Sequence, residues 1–312
     1  MRIAILGATS EIARDLTNSL RFNKKYELSL FSRRPAELEA WLRACDHSNI
    51  PPSNNLTEFS SAIAFDAILN FIGAGNPKLI SDLGESIVKL THTYDQLALD
   101  YLKIHPNCRY IFMSSGSIFG GNFDKPIDSS SILQGFSTES SSNHWYQNAK
   151  LSAEILHRKL VDAPITDLRI FNYFSNTQSI QSQFLMADIA RALINQSSLE
   201  VSTEYIVRDF LHPIDFCEMI ISILEAPPKN QALDCYSKSP ISKKELLEYL
   251  EGQFGLKVEV SKTPLFNPTG AKVNYFSQNK QAQLLGYFPK YSSLEGIHLE
   301  LELLLQKHQL KK

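Results

Sequence analysis

Phe112-Met-Ser-Ser-Gly-Ser-Ile-Phe-Gly120, followed downstream by Tyr146-Gln-Asn-Ala-Lys150, is the part of the sequence that decides how the rest is read. Arg109–Met113 is an apolar run of strand type, so Ser114 and Ser115 fall where a strand gives way to a loop. Tyr146 and Lys150 stand four apart at the head of a segment with helical apolar spacing, Leu151, Ile155, Leu156 and Leu160. That spacing puts a phenol and an ammonium on one helix face. A cation beside a phenol favours the phenolate and draws its pKa down from about 10, as a general acid or base near neutral pH requires. A hydroxyl at Ser115 can hold the substrate oxygen whose proton Tyr146 gives or takes. Either element alone is common, the pair as an ordinary helix face and Ser-Ser-Gly as a turn. Together, behind a dinucleotide-type amino terminus, they carry chemistry.

That amino terminus reads Ile3–Leu6 as a short strand, then Gly7-Ala-Thr-Ser-Glu-Ile-Ala13, then a helical pattern through Leu16 and Leu20. Strand, tight turn and helix are the setting in which a glycine-rich fingerprint has meaning. Gly7 permits the turn, and the helix amino terminus offers backbone N–H groups to a pyrophosphate. Tyr26–Phe31 is the second strand, Pro35–Asp46 a helix, and any third strand within 47–61 is short. Phe65–Ile72 is a strong strand leading into Gly73-Ala-Gly75, whose small residues let the backbone pass under a cofactor. Leu79 to Leu102 reads as one long helix or two, and Ile165–Ile170 as another strand. Further on, Phe184–Ile194 and Phe216–Leu224 are helical, and Ser242 with Glu245 forms a capping box at the head of Ser242–Gln253.

Composition narrows the class. The chain has 312 residues, 43% hydrophobic and 21% charged, as in an ordinary globular protein with a sizeable core. A net charge of −2 argues against bulk electrostatic binding of nucleic acid. The longest apolar runs, such as Ala67–Ile72, are too short to cross a bilayer. No signal-peptide pattern stands at the start, and Cys45, Cys108, Cys217 and Cys235 are scattered without a Cys-x-x-Cys. The expectation is a cytoplasmic protein with reduced thiols and no metal site.

On these residues the chain resembles the extended short-chain dehydrogenase/reductase family, the NAD-dependent epimerase/dehydratase type that handles nucleotide sugars. In that family a Ser or Thr, a Tyr and a Lys fill the roles of Ser115, Tyr146 and Lys150. The Ser/Thr lies four residues before a Tyr-Gly pair; Ser115 lies four before Phe119-Gly120. The family pattern Gly-x-x-Gly-x-x-Gly keeps only Gly7, with Ser10 and Ala13 at the other glycines. The resemblance places a dinucleotide against Gly7, Thr9, Ser10, Glu11, Ile12, Ser32, Arg33, Arg34, Phe71, Ile72, Gly73 and Phe171, together with Tyr146 and Lys150. Where NAD-binding members carry an acid after the second strand, this chain has Arg33 and Arg34, which suit a 2′-phosphate. NADP is therefore expected, with NAD the alternative; the bland reading is that both arginines solvate a turn. Leu168-Arg-Ile-Phe-Asn172 resembles the segment that lines the nicotinamide, making Asn172 a substrate contact. Val207-Arg-Asp-Phe-Leu-His-Pro-Ile-Asp215 resembles the family's Arg-Asp-Phe-Ile-His-Val-Asp-Asp. Arg208 is then a substrate-diphosphate ligand, or else an ion-pair partner of Asp209 or Asp215. Lys272 stands near a basic phosphate contact of the family.

The alternation of strands and helices to residue 170 implies an α/β fold with a doubly wound parallel (Rossmann) sheet. Residues 1–170 would bind the dinucleotide. Residues 171–312 would form a smaller α/β substrate lobe, with some segments returning to the first domain. The expected function is an oxidoreductase acting on a nucleotide-linked sugar. Dehydratases of this family place an acidic pair after the catalytic Ser/Thr, and Gly116-Ser117 stands there instead. A keto-sugar reductase using exchangeable NADPH is the first expectation and an epimerase that retains its cofactor the alternative. A non-catalytic NADP-binding sensor or scaffold is the second alternative. The resemblance also implies a homodimer through the helices of 79–102 and 146–160.

Overall fold

The computed structural model describes residues 1–121, 123–137, 141–261 and 272–309. The first half alternates as expected: β1 (Arg2–Leu6), α1 (Glu11–Leu20), β2 (Glu27–Ser32), α2 (Pro35–Cys45), β3 (Ser53–Asn55), β4 (Ala67–Asn70), α3 (Pro77–Leu83), α4 (Ser86–Ile104), β5 (Arg109–Ser115), α5 (Ser142–Lys159) and β6 (Ile165–Ile170). The second half runs β7 (Asn172–Tyr173), α6 (Leu185–Asn195), β8 (Ser198–Val201), β9 (Val207–Arg208), β10 (Phe210–Leu211), α7 (Pro213–Glu225), β11 (Gln231–Asp234), β12 (Ile241–Ser242), α8 (Lys243–Phe254), β13 (Lys257–Val260), β14 (Asn274–Tyr275) and α9 (Ser293–Gln309).

Among the described residues the main sheet has seven strands in the order β11-β6-β5-β4-β1-β2-β3. Every pair in it is parallel. Parallel strands covered on both faces read as continuous apolar runs, and Ile3 to Leu6 and Ala67 to Leu69 are each fully buried. The chain reverses its winding between β1 and β4, so the crevice beyond their carboxyl ends is the topological place for a ligand. Gly7, Phe71 and Ser115 all sit at that edge.

Local chemistry sets several boundaries and decides between one helix and two after β4. β5 continues through Ser114 and Ser115 because they pair with Arg169 and Ile170 of β6. The segment from 77 to 104 is two helices, broken at Gly84, whose φ of +50° an L side chain rarely adopts. The helix carrying the tyrosine starts at Ser142, so Tyr146 lies in its second turn rather than at its head.

The second half is threaded into the first. β11 adds to the sheet edge beside β6. Phe216, Met219 and Ile220 of α7 share a buried apolar core with Leu16 and Leu20 of α1. A separate core built on Met186, Ile189, Leu246, Leu250, Ile297 and Leu301 joins α6, α8 and α9. Ser242 and Glu245 form the expected capping box on α8. Among the described residues no helix is long and apolar enough to cross a membrane.

Candidate active site

Ser115 ends β5 and caps the short helical turn after it, its hydroxyl accepting from the Ser117 N–H at 3.2 Å. Gly116 follows because nothing larger fits: a Cβ there would lie 2.3 Å from the Phe171 ring. Tyr146 is partly buried beside Ala74, Ile87 and Ala149. Lys150, one turn on, is buried, and its Nζ donates to the Met113 carbonyl at 2.7 Å. Nζ also sits 4.5 Å from the Phe112 ring centroid and 6.0 Å from that of Tyr146. The three predicted catalytic side chains therefore converge on one edge of the sheet.

Their electrostatics differ from expectation. Burial pushes the Tyr146 phenol above its usual pKa, and the Ser115 hydroxyl works weakly the other way. The lowering expected from Lys150 is not expressed, because desolvating a phenolate costs more than a distant ammonium returns. Burial likewise brings Lys150 down to about 8, against the pull of Asp95, Asp167 and Glu154. Lys150 thus remains mostly charged at neutral pH, yet close enough to its midpoint to feel a nearby change in charge.

A second layer behind these groups is invisible to motif reading. Glu154 accepts from Ser114 at 2.5 Å and from Arg169 at 2.7 Å, and Arg169 reaches Asp234 at 3.3 Å. His157 bridges Asp167 at 2.6 Å and Asp95 at 2.9 Å, and Asp95 accepts from Tyr110. The signal for Glu154 and His157 was their spacing from Lys150, which puts them on the same helix face.

The dinucleotide side fits a cofactor. Gly7 has φ +74°, and a Cβ on it would meet Ile72 and the Phe71 backbone at 2.9 Å, so the turn passes directly over the end of β4. At Gly73 the missing Cβ leaves a gap 3.5 Å from Lys150 Nζ, a cradle that a side chain would fill. Ser10 caps α1 from its own side chain, accepting from the Ala13 N–H at 3.3 Å. Glu11 turns away towards the second half, where its carboxylate accepts from the Ser179 N–H at 3.0 Å. Thr9 is partly buried beside them, and Ile12 packs on the core. Ser32 is buried and accepts from the Arg34 N–H at 3.3 Å. Arg33 is exposed, while Arg34 pairs with Glu37 at 2.9 Å. The rings of Phe71 and Phe171 are packed, against Phe216 and Tyr275 respectively.

The second half delivers a cationic cluster to the same edge. Arg208 is buried and donates to the carbonyls of Val207 at 2.8 Å and Lys272 at 2.7 Å. The alternative reading, an ion pair with Asp209 or Asp215, is not formed. Asp209 is taken by Ser237 and Ser293, and Asp215 by the N–H groups of Lys290 and Tyr291. Burial lowers the Arg208 guanidinium to about 10, and burial with the neighbouring Arg208 charge lowers Lys272 to about 8. Asn172 ties the cluster together, donating to the carbonyls of Asp209 and Tyr275, both at 3.4 Å. Sequence reasoning missed Tyr275. Its ring carries Lys272 Nζ at 4.3 Å and the Arg208 guanidinium at 5.8 Å, and its hydroxyl lies 3.3 Å from Ser115 Oγ.

Solved structures with this fold include the UDP-N-acetylglucosamine 4-epimerase of Methanobrevibacter ruminantium M1 in complex with UDP-N-acetylmuramic acid. It is 13% identical, with 100% of this chain and 99% of that one covered and a TM-score of 0.81. The UDP-glucose-4-epimerase of Stenotrophomonas maltophila, with NAD and formylated UDP-arabinopyranose, is 16% identical over the whole of both chains, with a TM-score of 0.81. The UDP-glucuronic acid 4-epimerase of Bacillus cereus, with UDP-glucuronic acid and NAD, is 18% identical over 98% of this chain and 100% of that one, with a TM-score of 0.80. No curated protein sequence matches the chain. At these identities the structures speak for the fold alone, but a family model matches residues 3–236, from β1 through β11. The sheet, the edge on which Ser115, Tyr146 and Lys150 meet and that match agree: the chain belongs to the NAD dependent epimerase/dehydratase family, enzymes of the short-chain dehydrogenase/reductase type.

Proposed function

We propose that the protein epimerises a nucleotide-linked sugar, oxidising a ring hydroxyl and reducing the ketone again on its other face. The observation that carries this is the buried Arg208 and the partly buried Lys272 beside it, without a carboxylate partner among the described residues, on the ring whose hydroxyl meets Ser115. A buried unpaired charge is costly, and a diphosphate placed there would neutralise both cations while leaving its sugar beside Ser115. The epimerases among the similar structures support the same reading. Gly116 opposes a dehydratase, since the Phe171 ring leaves no room for an acidic side chain.

Residues 1–170 would hold the dinucleotide, through the Gly7–Ile12 turn, Ser32–Arg34, the backbone of Phe71–Gly73 and Phe171 at the boundary. Residues 171–312 would hold the substrate, with α7 and β11 returned to the first part. When bound, the nicotinamide supplies and accepts the hydride. Ser115 holds the substrate oxygen, Tyr146 takes and returns its proton, and Lys150 holds the ribose and offsets charge on the phenol. Arg33, exposed at the end of β2 where no acid stands, supports NADP, with NAD the alternative. The same arginine favours a second reading, a keto-sugar reductase drawing on exchangeable NADPH. The intact Ser115, Tyr146 and Lys150 set speaks against a non-catalytic binder. A homodimer through α4 and α5 belongs to the same reading, with Ile155 partly exposed on α5.

The test is to incubate purified protein with UDP-sugars and no added cofactor, and separately with NADPH and a 4-keto nucleotide sugar. Interconversion in the first supports the epimerase, and NADPH consumption in the second the reductase. Tyr146→Phe should lower either rate by roughly 10²–10⁴, the usual contribution of a general acid or base. Silence in both assays, or a Tyr146→Phe variant as fast as wild type, overturns the reading.

A further inference from the structure

We infer that Tyr275 is a positioning residue for Ser115, a phenol delivered by the second half of the chain that fixes how the serine hydroxyl meets the substrate oxygen. The inference rests on the function proposed above. Tyr275 lies on β14, paired with β9 so that it stands opposite Arg208. Its side chain is buried, with Phe123 edge-on at 4.9 Å and Phe171 tilted at 5.2 Å. Within that packing the hydroxyl lies 3.3 Å from Ser115 Oγ, and the Ser117 N–H reaches it as well.

Ser115 Oγ has two lone pairs and one proton. One lone pair takes the Ser117 N–H. If Tyr275 donates to the other, the serine proton is turned towards Tyr146, where it meets the phenol and, once a ligand is bound, the substrate oxygen, and the hydroxyl has no free rotation. A donated hydrogen bond also strengthens the next bond in the chain, so Ser115 becomes a better donor as charge grows on that oxygen. At 3.3 Å the contact is longer than the usual 2.7–2.8 Å for paired hydroxyls. It therefore has room to tighten when a substrate completes the row. The ring of the same residue lies under Lys272 and Arg208. One side chain thus touches both the cationic cluster and the reacting hydroxyl, which sets the distance between the phosphate end and the sugar end of a ligand.

Tyr275→Phe removes only the hydroxyl and keeps the ring for both cations. It should lower kcat by roughly 3- to 10-fold, the worth of one neutral hydrogen bond, with KM for the nucleotide sugar nearly unchanged. In a Ser115→Ala background the same substitution should change nothing further, because Tyr275 acts through Ser115. An equal loss in both backgrounds, or a rise in KM at constant kcat, overturns the inference. Urea unfolding of the same four proteins gives a readout that needs no turnover: the two losses should be less than additive, and strict additivity refutes the pairing. If wild type turns over no nucleotide sugar, the proposed function fails, and the pairing is decided by the unfolding cycle alone.

Discussion

Replacing Arg208 by Met should separate binding from stability, because burial makes this charge a cost to the fold. The side chain is 8% exposed, and burial brings the guanidinium down to about 10. That lowering corresponds to a penalty on the charged form of roughly 3 kcal/mol. Met fills similar volume and removes the penalty, but it leaves the Val207 and Lys272 carbonyls without their donor, at about 1 kcal/mol each. The balance is a variant at least as stable as wild type, by about 1 kcal/mol. The folded pKa is the lower of the two, so the penalty is full below about 10 and fades only above it. The stability difference should therefore be flat from about pH 5 to pH 7 and narrow as pH passes about 8, where wild-type Lys272 loses the charge that Arg208 repels. Ligand binding should move the other way. At a UDP concentration about 100 times its Kd, wild type gains roughly 2.7 kcal/mol. Losing a charge-assisted phosphate contact of about 1.5–3 kcal/mol should cut the UDP-induced rise in Tm to less than half. Differential scanning fluorimetry with and without UDP, and with NAD or NADP as a control whose shift should survive, reads both effects. An Arg208→Met protein that is clearly less stable yet keeps the full UDP shift would show that Arg208 holds β9 and β14 together and nothing more.

Two further substitutions test other parts of the molecule. Arg33→Ala should erase most of a preference for NADP over NAD, a contact worth about 1.5–3 kcal/mol if it meets a 2′-phosphate; titration of wild type showing a preference for NAD would refute the assignment. His157 is desolvated by burial, yet its hydrogen bonds to Asp167 and Asp95 carry it up to about 9. Its folded pKa is thus above the unfolded one, so its stabilisation is complete below about pH 6.5 and is lost as pH rises through about 9. Urea unfolding across that window should show wild type losing up to roughly 3 kcal/mol from this group, and His157→Gln should flatten the slope; a slope unchanged by the substitution would place the titration elsewhere.

The sequence by itself determined the alternating fold and singled out Ser115, Tyr146 and Lys150 as the proposed catalytic set, because both are written in short-range pattern. A strand buried on two faces must be continuously apolar, as Ile3–Leu6 and Ala67–Leu69 are, and a four-residue step on a helix fixes Tyr146 and Lys150 to one face whatever surrounds them. Only the tertiary structure decided the rest. Tyr275 reaches Ser115 across 160 residues of chain, through a two-residue strand too short to show any period. The partner of Arg208 was equally undetermined: two aspartates nearby in sequence are claimed by serines and backbone N–H groups from β11 onwards, leaving the guanidinium without either. The direction of the Tyr146 and Lys150 pKa values was settled there too, because desolvation is a sum over everything packed around a group, whereas a motif names only one neighbour.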